Sequence, residues 1–81
     1  MLEKTIILKN FEAVKNFVDI ANTKSYDIEL VSGKYVVNAK SIMGVFSLDL
    51  TKPLIMVAHT DAHAELLKHT APFHYEEQLK K

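Results

Sequence analysis

The residue best placed for chemistry in this 81-residue chain is Ser41, whose hydroxyl lies where a strand ends and a short helix begins. Serine is a favoured N-cap because its side-chain oxygen accepts a backbone N–H two or three residues on, here that of Met43 or Gly44. A phosphoryl group on the same oxygen would add roughly 1.5 to 2 negative charges beside helix N–H groups that favour an anion. From the residue type and position alone, the typical role of such a serine is a plain helix cap.

The apolar residues that follow Ser41 are too numerous for one buried stripe; they are Ile42, Met43, Val45, Phe46 and Leu48. A helix this short needs two or three core contacts, so the others face water or a partner protein. We expect Ile42, Met43 and Phe46, together with Lys40, to form a partner-binding surface. Simple core packing is the alternative, because Ile42, Val45 and Phe46 share one helical face.

The four histidines are the other candidates, for metal binding or phosphoryl transfer. His59 and His63 lie four residues apart in HTDAH, a spacing that pairs two imidazoles on a continuous helix. His59, however, ends a predicted strand, and two histidines without a third firm ligand make a weak metal site. His69 and His74 lie near the chain end and are expected to be ordinary surface residues. We therefore expect no metal, no cofactor and no catalytic residue.

Composition excludes several classes of function. Ten Lys and Arg residues, all of them lysine, balance ten Asp and Glu residues, so no global field indicates binding to nucleic acid or to an anionic membrane. Cysteine is absent, which rules out disulfides and thiolate metal sites. The sequence shows neither an apolar run of about 18 residues nor a signal-peptide core, and we expect a cytoplasmic protein.

Periodicity and turn residues predict the order β-α-β-β-α-β-α in a single domain over residues 1–81. The predicted elements are a strand at Lys4–Leu8, a 12-residue helix from Phe11 capped by Asn10, a hairpin of Tyr26–Val31 and Lys34–Asn38 joined by Ser32–Gly33, the Ser41 helix, a central strand at Leu54–Ala58, and a helix at Ala62–His69 capped by Thr60 or Asp61.

Helix and strand patterns are mixed, and the tight hairpin makes part of the sheet antiparallel. This favours an α+β two-layer sandwich with helices on one face of a four-stranded sheet. The first helix has apolar residues at helical spacing that are predicted to be buried; they are Phe11, Val14, Phe17, Val18 and Ala21. Residues 70–81 are either irregular or a short helix after Pro72.

The segment AKSIMGVFSL resembles the regulatory-serine segment of the HPr family, the small phosphocarrier proteins of the bacterial sugar phosphotransferase system. A looser similarity extends over about Ile6–His59 and fades in the tail. The resemblance implies an antiparallel sheet with strand order 1-4-2-3. It also implies that Ser41 is the target of an ATP-dependent kinase, and that the apolar positions after it dock partner proteins.

The phosphocarrier chemistry of that family rests on a histidine at the start of the first helix, in a motif like G-x-H-A-R-P. The corresponding stretch here, LKNFEA at residues 8–13, contains no histidine, arginine or proline. Lys9, Asn10 or Phe11 stands near the acceptor position, and none of them can replace a nucleophilic imidazole. Glu12 adds negative charge where a phosphoryl group should dock. We therefore expect the histidine phosphocarrier activity to be absent.

The resemblance is nearest to the catabolite-repression HPr-like proteins, which lack the acceptor histidine, keep the serine, and act as corepressors in Gram-positive bacteria. It implies a non-enzymatic regulator phosphorylated at Ser41, with HPr kinase/phosphorylase and a transcriptional regulator as protein partners and no direct contact with nucleic acid or membrane. Two alternatives remain open. One is a phosphocarrier with a non-standard acceptor; the other is an interaction module without phosphate chemistry, whose exposed helix forms a homodimer interface.

Overall fold

The computed structural model describes residues 1–75, and residues 76–81 of the predicted tail lie outside the described residues. The elements follow the predicted order: β1 at Leu2–Ile6, α1 at Phe11–Asn22, β2 at Ile28–Ser32, β3 at Tyr35–Asn38, α2 at Ile42–Phe46, β4 at Leu54–Ala58, α3 at Ala64–His69, and a 3-10 turn at Ala71–Phe73. None of the helices in residues 1–75 has the length and apolar character needed to cross a membrane.

The four strands form one antiparallel sheet in the order β1-β4-β2-β3. This confirms the α+β class and the strand order that the resemblance implied. The apolar run of β4 occupies a central position, where Met56 pairs with Lys4 of β1 and with Leu30 of β2. Because side chains alternate along a strand, Leu30 and Met56 face the helices, while their neighbours in sequence face the open side of the sheet.

The core lies between the helices and one face of the sheet. From the helices it takes the side chains of Val14, Phe17, Val18, Ala21, Val45 and Leu66; from the sheet it takes those of Ile6, Ile28, Leu30, Leu54, Met56 and Ala58. Asn10 starts α1 as predicted, because its side-chain oxygen accepts the N–H of Ala13 at 2.8 Å. The predicted burial of Phe11 was wrong, since this first residue of α1 is 64% exposed.

The hairpin between β2 and β3 turns one residue later than predicted. Ser32 still pairs with Tyr35, so the two turn residues are Gly33 and Lys34. Gly33 has a φ of +61°, a left-handed conformation that costs glycine little. The predicted turn at Ser32–Gly33 was wrong because the positive φ falls at the first turn position and leaves Ser32 in the ladder.

β2 begins at Ile28, two residues after its predicted start at Tyr26, and the bounds of two other elements also differ from the prediction. β1 ends at Ile6, which pairs with Leu54, the first residue of β4, and the Ile7 N–H bonds to the Phe73 carbonyl on the other side of the strand. α3 begins at Ala64 after His63, which makes no side-chain cap bond. Thr60 accepts the Ala62 N–H at 3.0 Å in a separate turn, so neither Thr60 nor Asp61 caps the helix.

The chain after α3 returns to the sheet. The Phe73 carbonyl accepts the Ile7 N–H at 2.8 Å, and the Tyr75 N–H donates to the Thr5 carbonyl at 3.0 Å. His74 consequently pairs with Ile6 along the outer edge of β1. The tail up to residue 75 is therefore a 3-10 turn followed by a strand-like contact, not a helix that continues after Pro72.

Candidate functional site

Ser41 lies at the end of the tight connection between β3 and α2. Its backbone is extended, with φ −105° and ψ 110°, and its N–H donates to the Asn38 carbonyl at 3.0 Å. The Ser41 hydroxyl accepts the N–H of Gly44 at 3.1 Å, which is the predicted N-cap. The residue is exposed, so the oxygen that caps the helix also faces solvent.

Gly44 leaves open space beside that oxygen. A Cβ atom built on Gly44 would lie 3.3 Å from Ser41 Oγ and 3.5 Å from the Cβ of Val37. A larger residue here would crowd the hydroxyl and the turn behind it. The small residue three positions after Ser41 therefore keeps the hydroxyl accessible.

An apolar surface adjoins Ser41, and we define it as Phe11, Met43 and Phe46. Met43 is 77% exposed and Phe46 is 37% exposed. The Phe46 ring stacks on the Phe11 ring, with centroids 5.4 Å apart and planes 13° apart. The surface therefore joins the start of α1 to the end of α2. Phe11 is a residue that the sequence argument missed.

Two of the residues predicted to bind a partner are less available. Ile42 is half-buried and packs against the core beneath α2. Lys40 is also half-buried, and its ammonium donates to the Lys24 carbonyl at 2.8 Å. Asn22 donates to the Lys40 carbonyl at 3.1 Å. These bonds fix the residue before Ser41 to the end of α1 and the loop that follows it.

The start of α1 has no histidine of its own, but the fold brings one to it. His74 lines a cavity of about 210 Å³ with Lys9, Asn10 and Ala13. A hydrogen bond of 3.0 Å links its Nε2 to the Thr70 hydroxyl. No local pattern in the sequence could signal this placement, because His74 reaches α1 only through its pairing with Ile6.

The other three histidines have separate partners. His59 Nε2 lies 3.1 Å from a Glu29 carboxylate oxygen. His63 Nε2 lies 2.8 Å from the Thr60 carbonyl oxygen, and His69 Nδ1 lies 2.9 Å from the Lys24 ammonium nitrogen. The three histidines therefore contact three different residues, Glu29, Thr60 and Lys24. Among residues 1–75, no three His, Asp or Glu side chains converge in a way that could hold a metal ion.

Two ionisable groups have shifted pKa values. The hydroxyl and backbone N–H of Thr51 donate to Asp49 at 2.6 and 3.1 Å and lower the pKa of its carboxyl group, with a smaller contribution from Lys52. Asp49 thus carries a fixed negative charge in the loop after α2. Burial raises the pKa of Tyr26, and the Glu65 carboxylate adds to the effect, so the phenol stays protonated at neutral pH.

Fold and site together define a small α+β sandwich that presents a capped, exposed serine beside an exposed apolar surface. The crystal structure of HPr-C-His from Thermoanaerobacter tengcongensis has the same fold: the TM-score is 0.74, the sequences are 32% identical, and the match covers 89% of each chain. The sequence matches no protein-family model and none of the curated proteins. At this identity and coverage, the chain belongs to the HPr family and is related to the phosphotransferase system.

Proposed function

We propose that this HPr-family member is a non-enzymatic regulator, a cytoplasmic protein-binding module controlled by phosphorylation of Ser41. The observation that supports the proposal is an exposed hydroxyl close to an exposed apolar side chain. Ser41 is exposed at the start of α2, and Met43, two residues later in the chain, is 77% exposed. A kinase can therefore reach the hydroxyl without unfolding the helix. The same surface that a partner would contact changes its charge when the serine is modified.

The chemical step is transfer of the γ-phosphoryl group of ATP to Ser41 Oγ. ADP is the leaving group, and the hydroxyl proton passes to a base on the kinase. The phosphate would lie next to the N–H of Gly44, which already donates to Oγ. Because α2 has no acidic residue in its first turn, the added charge meets no like charge within the helix. The helix should therefore persist while the binding properties of its surface change.

The partners that fit this function are HPr kinase/phosphorylase, which modifies Ser41, and a transcriptional regulator that binds the phosphorylated form in catabolite repression. Met43 and Phe46 supply the exposed apolar contacts for both. Lys40 and Ile42 contribute less exposed surface, because the Lys40 ammonium is bonded to the Lys24 carbonyl and Ile42 packs on the core. The regulator, not this chain, would contact DNA.

Incubation with HPr kinase/phosphorylase and ATP, followed by intact-mass and peptide analysis, tests the proposal. We expect one phosphoryl group on Ser41 and none on the Ser41→Ala variant. Ser47→Ala is the matched control, since Ser47 is an exposed serine at the opposite end of the same helix. Phosphate on Ser47, or none at all, would overturn the assignment.

The second candidate is a phosphocarrier that uses His74. It is favoured by the cavity that places His74 beside Lys9 and Asn10 at the start of α1. Lys9 could neutralise part of a phosphoryl charge there. Enzyme I with phosphoenolpyruvate should then produce an acid-labile phosphate that is lost in His74→Gln. If wild-type protein and His74→Gln both remain unmodified, while Ser41 is phosphorylated by the kinase, the carrier function is excluded.

A further inference from the structure

The sheet has one face packed against the helices and one open face. On the helix side, Leu30 and Met56 are fully buried. On the open side, Ile55 in the middle of β4 is 41% exposed, and Val36 of β3 is 56% exposed. Within residues 1–75, therefore, no helix or loop covers the open face, although β4 and β2 are interior strands of the sheet.

The pairing of the strands brings apolar side chains together on this face. Val31 of β2 pairs with Ile55 of β4 on one side and with Val36 of β3 on the other. Val57 follows Ile55 by two residues and therefore points to the same side of the sheet. We call Val31, Val36, Ile55 and Val57 the open-face patch. It spans three strands, and contiguous apolar surface marks binding sites more often than single exposed residues do.

Carboxylates border the open-face patch at one end. Val57 pairs with Glu3 of β1 on one side and with Glu29 of β2 on the other, so these three residues form one row across the sheet. The Asp27 carbonyl accepts the His59 N–H at 2.9 Å, which extends the pairing of β2 with β4 by one residue. Asp27 precedes Glu29 by two residues and points to the same side. Three carboxylates therefore lie at this end of the patch.

Little of this negative charge is neutralised within residues 1–75. The Glu29 carboxylate lies 3.1 Å from His59 Nε2, and the N-terminal ammonium pairs with Asp61 at 3.8 Å. Glu3 and Asp27 have no ion pair with any residue in this part of the chain. The strand positions that point to the open side include no lysine. Because the whole chain has ten basic and ten acidic residues, the excess of negative charge is local to this face.

The charge of this face discriminates between the surfaces that could cover the patch. A second copy of the chain would bring the same three carboxylates toward these, and their repulsion would oppose association. An anionic membrane or a nucleic acid would be repelled in the same way. A partner whose apolar side chains are bordered by lysine or arginine complements both the patch and its carboxylates.

We propose that the open face docks an amphipathic helix of another protein, whose apolar stripe is bordered by lysine or arginine at one end. The five residues of β4 extend over about 17 Å, the length of about 11 helical residues. Apolar residues at i, i+3, i+4 and i+7 of such a helix contact the open-face patch, and basic residues beside its last turn reach Glu3 and Glu29. The open face lies on the side of the sheet away from α2, so the docked helix leaves Ser41 accessible.

NMR titration of the full chain with two model peptides tests the proposal. The first peptide, of about 18 residues, has leucine at the helical spacing given above and lysine at the other positions; the second has glutamate in place of every lysine. At low salt, the lysine peptide should shift the amide signals of Val31, Ile55 and Val57 and bind at least about tenfold more tightly than the glutamate peptide. Its binding should weaken as salt is added.

Glu3→Lys reverses the charge of one carboxylate that borders the patch. This substitution should weaken binding of the lysine peptide at least about fivefold, because a repulsion replaces an attraction. Glu12→Lys is the matched control, since Glu12 is an exposed glutamate on α1 and the net charge of the chain changes by the same amount. This variant should bind the peptide as the wild type does, because α1 packs on the opposite face of the sheet.

Val31→Thr tests the apolar part of the site. Threonine has nearly the shape of valine and is equally suited to a strand, but its hydroxyl must lose water when a helix covers it. The variant should therefore bind the lysine peptide at least about fivefold more weakly than the wild type.

Four results would overturn the proposal. They are no binding of the lysine peptide at about 1 mM, equal binding of the two peptides, peptide-induced shifts at Met43 and Phe46 instead of the open-face patch, and equal weakening by Glu3→Lys and Glu12→Lys. Shifts in the patch that depend on protein concentration without peptide would assign the face to a second copy and would also contradict it.

Discussion

Replacing Phe17 with alanine is expected to lower the free energy of unfolding by about 3–5 kcal/mol. Phe17 is 1% exposed in the middle of α1, where its ring meets the Phe73 ring edge to face with centroids 5.8 Å apart. Truncation would leave a cavity between α1, the sheet and the turn after α3. Urea unfolding followed by circular dichroism measures the loss, which is a large share of the stability of a domain of this size.

Phe11→Ala is the matched control, because it removes the same side chain from the same helix. Phe11 is 64% exposed and its ring contact is the stack on Phe46. Its loss should cost less than about 1 kcal/mol. Equal destabilisation by the two substitutions would contradict the assignment of Phe17 to the core and of Phe11 to the surface.

These two residues also show where periodicity succeeds and where it fails. Both occupy the apolar face of α1 in a helical pattern, and Phe17 is buried as the pattern predicts. Phe11 is the first helical residue, directly after the Asn10 cap, and its ring stacks on Phe46 of α2 instead of entering the core. The spacing of apolar residues shows which side of a helix faces the core. It does not show where along the helix axis the neighbouring layer ends.

Strand positions could be predicted where a run of residues had one consistent character. The bounds of β4 were predicted correctly because LIMVA is continuously apolar and Pro53 marks its start. The prediction placed β1 two residues too far along the chain, at Lys4–Leu8 instead of Leu2–Ile6, because Ile7 and Leu8 are equally suited to a strand. β1 ends at the residue that pairs with the first residue of β4, and the sequence of a single strand contains no information about its partner.

The candidate site also has features that the sequence could predict and features that it could not. The Ser41 cap was predictable, since it depends on the local sequence from Ser41 to Gly44 and on the geometry common to helix starts. The stacking of Phe46 on Phe11 and the bond from Lys40 to the Lys24 carbonyl join distant parts of the chain. Such contacts follow from how α2 packs on α1, so they required the structure.

The anchoring of α2 explains how its surface can be both exposed and ordered. Val45 is the fully buried residue of this five-residue helix, with Ile42 partly buried beside it. Met43 lies on the opposite side and is mostly exposed. Substitution of Met43 can therefore change binding while leaving the fold intact, which separates function from stability at this helix.

Met43→Ser is expected to raise the KM for phosphorylation by HPr kinase/phosphorylase at least about tenfold, with kcat little changed. Burial of a methionine side chain in a partner contributes about 1.5–3 kcal/mol, and each 1.4 kcal/mol corresponds to tenfold in affinity. The hydroxyl of Ser41 and its bond to Gly44 are untouched, so the chemical step should proceed normally once the complex forms. Steady-state kinetics with this chain as the varied substrate measures the effect.

Ile55→Ser is the matched control, because Ile55 is an apolar residue that is 41% exposed on the open face of the sheet, opposite the helices. It should leave KM unchanged. Met43→Ser should keep the free energy of unfolding within about 1 kcal/mol of the wild type, whereas Ile55→Ser should lower it by about 1–3 kcal/mol, because Ile55 is a more than half-buried, β-branched residue of a central strand. A similar rise in KM for both variants would mean that the kinase contacts apolar surface without preference. A rise for Ile55→Ser alone would move the docking surface from α2 to the sheet, leaving Ser41 at its periphery.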